Sequence, residues 1–320
     1  MEAIRTALAL RDPLPWRDLV EIVETAERTG YETVFLPEIT GRETFSTLAG
    51  LAGVTSTLRL GTGVVPMTSR RVETTAMAAA TVHELSAGRM VLGLGTGSVT
   101  RGALEGLRQA VVTLRAIFRG DTIDLGDPKR GSFRLSLGTG YAPLPIYVSA
   151  LGPKAMRLAG EIADGVLLNW CTPERVREAV RLIGEGARAA GRDPASLTVA
   201  VYVRACVGPD DGHALPALRA AAGAYASYPA YRRQFEAMGL GEEATEAAEA
   251  HRVGSLGRVP VRLVESVCLF GEAADAARRL QAYREAGADV PVVYPVPARE
   301  TASSILGTLF ALAPRRAPEP

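Results

Sequence analysis

Two stretches of this chain run from apolar residues into glycine and then into a helix-forming segment. They are Met90-Val91-Leu92-Gly93-Leu94-Gly95-Thr96-Gly97-Ser98 and Ile146-Tyr147-Val148-Ser149-Ala150-Leu151-Gly152-Pro153-Lys154. A turn of this kind leaves backbone N–H groups free at a helix N-terminus, where the helix dipole favours an anion such as phosphate. In the first stretch Gly95 and Gly97 let a ligand approach the backbone, and Thr96 and Ser98 add hydroxyl donors. In the second, Ala150 and Leu151 lead to Gly152, which opens the turn; Pro153 suits a first helical position, and Lys154 brings a cation to the same place. Each stretch also has a plainer reading, the first as a sharp turn that serves packing and the second as an ordinary helix start. Together they suggest a phosphorylated cofactor held at one end of a parallel α/β structure.

Other positions carry potential chemistry. Gly63 precedes Val64 in Thr62-Gly63-Val64-Val65-Pro66 and permits an unusual backbone geometry beneath a flat ring. Nothing local demands a strained peptide there, because a non-prolyl cis bond costs about 3–4 kcal/mol. Glu38, in Leu36-Pro37-Glu38-Ile39, follows a strand-like run and is placed to donate or relay a proton. It is equally placed to pair with Arg70 or Arg71 and tie two loops together. Arg70 is a candidate contact for an anionic group or tail. His83 sits in a helical segment and His213 and His251 in a later helical stretch, so none reads as catalytic. Cys171, Cys206 and Cys268 lie far apart, with no metal-ligand spacing and no even disulfide framework. They read as packing residues in a reducing compartment, and no metal is expected.

Composition narrows the class. The chain has 320 residues, 47% of them hydrophobic and 22% charged, which is ordinary for an enzyme with a sizeable core. A formal charge of +1 without a long basic stretch argues against nucleic acid as the main partner. No apolar run reaches bilayer length, and Met1-Glu2-Ala3-Ile4-Arg5 is not the start of a secretory signal, so a cytoplasmic location is expected. Lys129 and Lys154 are the only lysines, which makes a lysine inside the second turn conspicuous.

The elements that must position these residues alternate between strand and helix. Strands are expected over Ile4–Leu10, Thr33–Leu36, Leu58–Val65, Met90–Leu94, Ile146–Ala150, Gly165–Asn169, Leu197–Val207 and Val290–Tyr294. Residues 121–143 read as an irregular excursion with a short hairpin around Phe133–Leu137. Thr172-Pro173-Glu174 starts a helix with a threonine cap and proline at the first position. Residues 208–262 read as a helical insertion, and 313–320 as a flexible tail. Eight strands with intervening helices match a single (β/α)8 TIM barrel, with the insertion before its last strand. A doubly wound sheet fits less well: the Gly95-Thr96-Gly97 turn lacks the third glycine of the dinucleotide fingerprint.

Taken together, Leu36-Pro37-Glu38-Ile39-Thr40-Gly41-Arg42, Leu60-Gly61-Thr62-Gly63-Val64, Glu84-Leu85-Ser86-Ala87-Gly88-Arg89, the Gly93–Gly97 turn and Leu151–Val166 resemble the bacterial-luciferase-like superfamily of flavin and deazaflavin oxidoreductases. Within it they are most similar to the coenzyme F420-dependent branch. The resemblance implies a homodimeric barrel with a non-prolyl cis peptide at Gly63–Val64 that buttresses the ring. It also implies cofactor phosphate held by Gly95, Thr96 and Gly97 on one side and by Gly152, Pro153 and Lys154 on the other. Two departures stand out. Many F420-dependent relatives carry an Asp-His pair where this chain has Glu38-Ile39, and a Trp-His-Gly stretch is absent after Ser98. The expected activity is hydride transfer between C5 of F420 and a small organic substrate, with Glu38 as proton donor. Two alternatives are an FMN-dependent monooxygenase fed with reduced flavin by a separate reductase, and a non-catalytic cofactor-binding barrel.

Overall fold

The computed structural model describes residues 5–11, 14–97, 100–126, 129–138, 143–208, 212–298 and 302–314. Eight parallel strands close into a barrel: β1 (Ala7–Ala9), β2 (Thr33–Leu36), β3 (Arg59–Thr62), β4 (Met90–Gly95), β5 (Ile146–Ser149), β6 (Gly165–Asn169), β7 (Thr198–Val207) and β8 (Val290–Pro295). Closure runs through β7. Its first residues pair with β6, Thr198 opposite Gly165 through Tyr202 opposite Asn169, and its middle pairs with β8. The helical faces pack outside the barrel, so the strands are buried on both sides and read as near-continuous apolar runs.

The barrel interior is filled rather than open. Phe35, Val91, Tyr147, Leu167, Tyr202, Val292 and Tyr294 pack there with small partners such as Ala7, Ala9 and Ala200. Gly61 and Gly165 make room for the rings: a Cβ on Gly61 would stand 2.4 Å from Phe35, and one on Gly165 would stand 2.6 Å from Tyr147. The aromatic layer therefore forms the floor of whatever lies at the C-terminal ends of the strands.

Local chemistry explains where helices begin. Glu43 caps the helix Thr44–Ala52, its carboxylate accepting the Phe45 and Ser46 amides at 3.2 and 2.6 Å. Thr172 caps Pro173–Ala189 as expected, its hydroxyl accepting the Arg175 amide at 3.2 Å. Helix Pro153–Ile162 packs closely on Pro173–Ala189, and a Cβ on Gly160 would fall 2.0 Å from the Ile183 carbonyl. That contact is open only to glycine.

The structure departs from the sequence expectations in three places. The third strand ends at Thr62, and Val65–Pro66 pairs separately with Leu94 and Gly95 of β4, because the Gly63 amide turns to the Leu36 carbonyl at 2.7 Å. The expected hairpin consists of Ile123–Asp124 paired with Ser132–Phe133. An unforeseen short strand, Cys268–Gly271, pairs with Arg204–Val207, the half of β7 that β6 is too short to cover. The insertion between β7 and this strand contains helices Ala214–Ala226, Pro229–Glu236, Gly241–Arg252 and Val261–Val267, with a core of its own that includes Leu218, Phe235, Leu263 and Trp170. All three cysteines are buried, and burial pushes the thiols of Cys171 and Cys268 up to about 12. Residues 315–320 of the expected tail lie outside the described residues.

At the end of the barrel away from these turns, Glu27 holds the loop that enters β3. Burial alone would raise its pKa, but the amides of Thr57, Leu58 and Ser56 and the Thr57 hydroxyl outweigh that and hold it down to about 2. Since the folded value lies below the unfolded one, this contribution is complete above pH of about 4.5 and disappears as pH falls toward about 2. Glu27→Gln should therefore lower the urea midpoint at pH 7, and the difference from wild type should shrink in melts taken through that acid window.

Candidate active site

A cavity of about 470 Å³ opens at the C-terminal ends of the barrel strands. Pro37, Glu38 and Ile39 after β2 border it, as do Gly63, Val64 and Pro66 after β3 and Gly95, Thr96 and Gly97 at β4. Ser149 and Leu151 enter from β5, Leu167 and Asn169 from β6, Tyr202 and Arg204 from β7, and Tyr294 from β8. The roof comes from the insertion, with Tyr225, Tyr228, Pro229, Ala230 and Tyr231.

The two glycine turns meet here. β4 and β5 are neighbours in register, Leu94 opposite Val148, and a Cβ on Gly95 would come within 3.0 Å of the Ser149 hydroxyl and 2.8 Å of Val64. Gly97 has φ +68°, a conformation that favours glycine. Gly152 precedes helix Pro153–Ile162 with no side chain capping it, and the space where its Cβ would stand is empty out to 4 Å. First-turn amides of that helix have no intrahelical partner, so this corner has the donors and the room that an anion requires. Leu151 borders the cavity itself, whereas Pro153 and Lys154 are exposed beside it and Ala150 is buried behind it. Ser98 lies outside the described residues.

Gly63 and Val64 both border the cavity, but the peptide between them is not the expected cis: among the described residues every peptide bond is trans. The trans backbone is held by two bonds to the neighbouring strand end, Gly63 N–H to Leu36 O at 2.7 Å and Glu38 N–H to Val64 O at 3.2 Å. From across the barrel the Tyr202 hydroxyl donates to the Gly63 carbonyl at 3.3 Å. These bonds satisfy the segment without the cost of a cis bond.

Glu38 and Arg70 are brought together as a fork. Arg70 Nε and Nη2 donate to the two carboxylate oxygens of Glu38 at 2.9 and 2.8 Å, and Nη2 also contacts Glu43. Both side chains of the fork are mostly shielded, 16% and 18% exposed. The hydrogen bond that Arg70 donates to Glu38 raises the Arg70 pKa further, so the guanidinium stays charged. Arg70 is not part of the cavity lining; it acts on the site through Glu38 and the loop after β3.

A second cluster escaped the sequence reading. Arg204 is 3% exposed and stacks on Trp170, Tyr225 and Tyr294, with its guanidinium carbon 4.6, 4.9 and 4.2 Å from the ring centroids. Its Nη1 donates to Asn169 Oδ1, and Asn169 Nδ2 donates to the Tyr231 hydroxyl at 2.9 Å. Burial raises the pKa of Tyr202 and Tyr231, and pushes Tyr294 up to about 12, so all three remain neutral phenols at physiological pH. Two signals were available in the sequence: one arginine in the otherwise apolar run Thr198–Val207, and tyrosines three apart at 225, 228 and 231.

With this geometry in hand, relatives can be compared. Residues 3–290 match the family described as luciferase-like monooxygenase. The chain belongs to that family. Among curated members it is 34% identical over 200 residues to the 5,10-methylenetetrahydromethanopterin reductase of Methanolobus tindarius, an alignment covering 59% of this chain and 61% of that enzyme. It is 29% identical over 231 residues to the F420-dependent glucose-6-phosphate dehydrogenase of Beutenbergia cavernae, covering 63% and 68% of the two chains. The alignments thus span about three-fifths to two-thirds of these relatives. The solved coenzyme F420-dependent tetrahydromethanopterin reductase of Methanopyrus kandleri superposes with a TM-score of 0.81 at 21% identity, covering 96% of this chain and 97% of that one. The FMN-bound oxygenating constituent of a diketocamphane monooxygenase from Pseudomonas putida gives 0.68 at 16% identity, with 97% of each chain covered. Both solved structures have the barrel found here.

The fork yields a stability test. Arg70→Ala leaves the carboxylates of Glu38 and Glu43 facing one another and should cost about 1–2 kcal/mol in urea unfolding, between the exposed and buried limits for ion pairs. Glu38→Gln keeps a hydrogen-bond acceptor and should cost less than Arg70→Ala.

Proposed function

We propose that the protein is an F420-dependent oxidoreductase that transfers a hydride to or from a small organic substrate at the mouth of the barrel. The observation that carries this reading is the open, uncapped helix start at Gly152, which follows Leu151 of a cavity that the Gly95–Gly97 turn and the Gly63–Val64 segment also border. An anionic cofactor with a flat ring is what such a combination suits. Curated relatives that use F420 support the choice of a deazaflavin.

When bound, that group would supply hydride donation or acceptance at C5. The chain's own residues bind, orient and exclude water. Gly95, Thr96, Gly97 and Gly152 offer backbone donors to the phosphate, Lys154 adds charge at the rim, and Gly63 and Val64 offer a flat surface fixed by Tyr202. Glu38 and Arg70 serve as positioning residues: with both carboxylate oxygens engaged, Glu38 stabilises the rim rather than exchanging a proton, a revision of the role expected from sequence. A second copy of the chain is the inferred protein partner, supported by Met77, Leu85 and Val112, which remain exposed on the neighbouring helices Val72–Leu85 and Ala103–Phe118.

Parallel fluorescence titration of the apoprotein with F420 and FMN tests the cofactor. Micromolar saturation by F420 alone is expected; tight binding of FMN alone would favour the flavin monooxygenase reading. Gly152→Asp sharpens the test. At φ −98° and ψ 164°, with open space around the Cβ position, aspartate fits, caps the helix and places a negative charge where phosphate would sit. The variant should melt at the same temperature or slightly higher, yet bind F420 at least about tenfold more weakly. Undiminished binding would remove Gly152 from the cofactor site.

A further inference from the structure

Among the described residues, Arg175 is the other arginine that is almost fully buried, and it and the half-buried Arg89 are satisfied within the chain. Arg175 meets Glu178, Gln234 and the Leu151 carbonyl. Arg89 donates to carbonyls of Ser86, Leu58, Ala52 and Thr55. Arg204 differs. It borders the cavity, carries five donors, makes one hydrogen bond to a neutral amide, and has no carboxylate partner among the described residues. Among the described residues the only carboxylate bordering the cavity, Glu38, is already matched by Arg70. Among the described residues, Arg204 is thus a positive charge that no carboxylate neutralises, set among neutral phenols, and an uncompensated charge in such surroundings is costly.

Its surroundings are built to hold it. Trp170, which stacks beneath the guanidinium, is 1% exposed and has φ +52°, a strained conformation for a residue of its size. Its buried indole N–H has no hydrogen-bond partner among the described residues. Strain retained at a ligand-facing turn marks a position that packing has over-determined. Arg204 and Tyr202 point to the same side of β7, with the Arg204 Cα about 7 Å further along the strand toward the mouth than that of the tyrosine that touches Gly63. β7 also lies across the barrel from β3 and is not adjacent to β4 or β5, which carry the glycine turns. The charge is therefore separate from the proposed phosphate corner.

We propose that Arg204 is the substrate's anion receptor, and that the substrate is a small planar carboxylate, aromatic or unsaturated, held by its carboxylate on the guanidinium fork and by its body among Tyr225, Tyr231 and Tyr294. A planar fork matches a planar carboxylate through two parallel bonds. The surrounding rings, with Tyr225 and Tyr231 4.8 Å apart edge to face, favour a flat apolar body over a polyhydroxylated one. Calling the occupant a substrate rests on the oxidoreductase reading of the same cavity; its chemistry does not.

Trp170 supplies a readout that needs no cofactor. In a Trp16→Phe background it is the only indole, so its fluorescence reports on ligands at Arg204. Benzoate and cinnamate are titrated against benzamide and cinnamamide in this background and with Arg204→Gln or Arg204→Lys added. Saturable quenching by the acids is expected, at least about tenfold tighter than by the amides. Arg204→Gln should abolish that preference while F420 affinity stays within about twofold, and Arg204→Lys should keep a reduced preference. If Arg204→Gln does not fold, the acid-to-amide ratio in the parent and the lysine variant decides the question. Equal binding of acids and amides, or no saturable response, overturns the proposal. So does a loss of F420 affinity in a folded Arg204→Gln protein, or displacement of benzoate by inorganic phosphate, since either assigns Arg204 to the cofactor. Failure of F420 to bind while benzoate still binds through Arg204 would instead sink only the cofactor reading.

Discussion

The hydrogen bonds of β7 hold this molecule's architecture and its candidate site together. Ten residues long, the strand pairs with β6 through Tyr202, with β8 through Ala205, and with Cys268–Gly271 from Arg204 onward. The first two pairings close the barrel. The third carries the strand beyond the barrel rim and anchors the far end of the helical insertion. Because side chains alternate along a strand, the same hydrogen bonds that close the barrel also set Tyr202 and Arg204 on its inner face. A one-residue slip would turn both outward.

The site balances two arginines in different ways. Arg70 is neutralised by Glu38 and Glu43 and ties the segments after β2 and β3 into one rim. Arg204 is surrounded by ring faces and a neutral amide, which tolerate the guanidinium without neutralising it. The first arrangement stabilises the free protein. The second leaves electrostatic energy to be recovered when an anion arrives, which is how a buried charge acquires selectivity.

Much of this was legible from residue order. Apolar runs ending in glycine marked β4 and β5, and their closeness at the barrel mouth followed from alternating strands and helices. Thr172-Pro173 announced a helix start that the structure contains. Other features were hidden for identifiable reasons. Cys268–Gly271 is only four residues long and becomes a strand because β7 presents an unpaired edge. For Glu38 residue order left proton donation and pairing with Arg70 or Arg71 equally open, and the fold engages both its oxygens with Arg70, 32 positions away. Tyr225, Tyr228 and Tyr231 look like one helical stripe, but Tyr225 and Tyr231 belong to two consecutive helices over the barrel mouth and Tyr228 lies between them.

By itself, the sequence determined the barrel, the strand ends that carry glycine, and the uncapped helix start at Gly152, since these depend on local periodicity and on residues that permit particular backbone shapes. Tertiary structure decided which charges are matched. Whether an arginine finds a carboxylate depends on contacts between distant strands and loops, which local patterns do not encode. For Glu38 and Arg70 that contact exists; among the described residues Arg204 meets aromatic rings and an amide instead, at the border of the cavity.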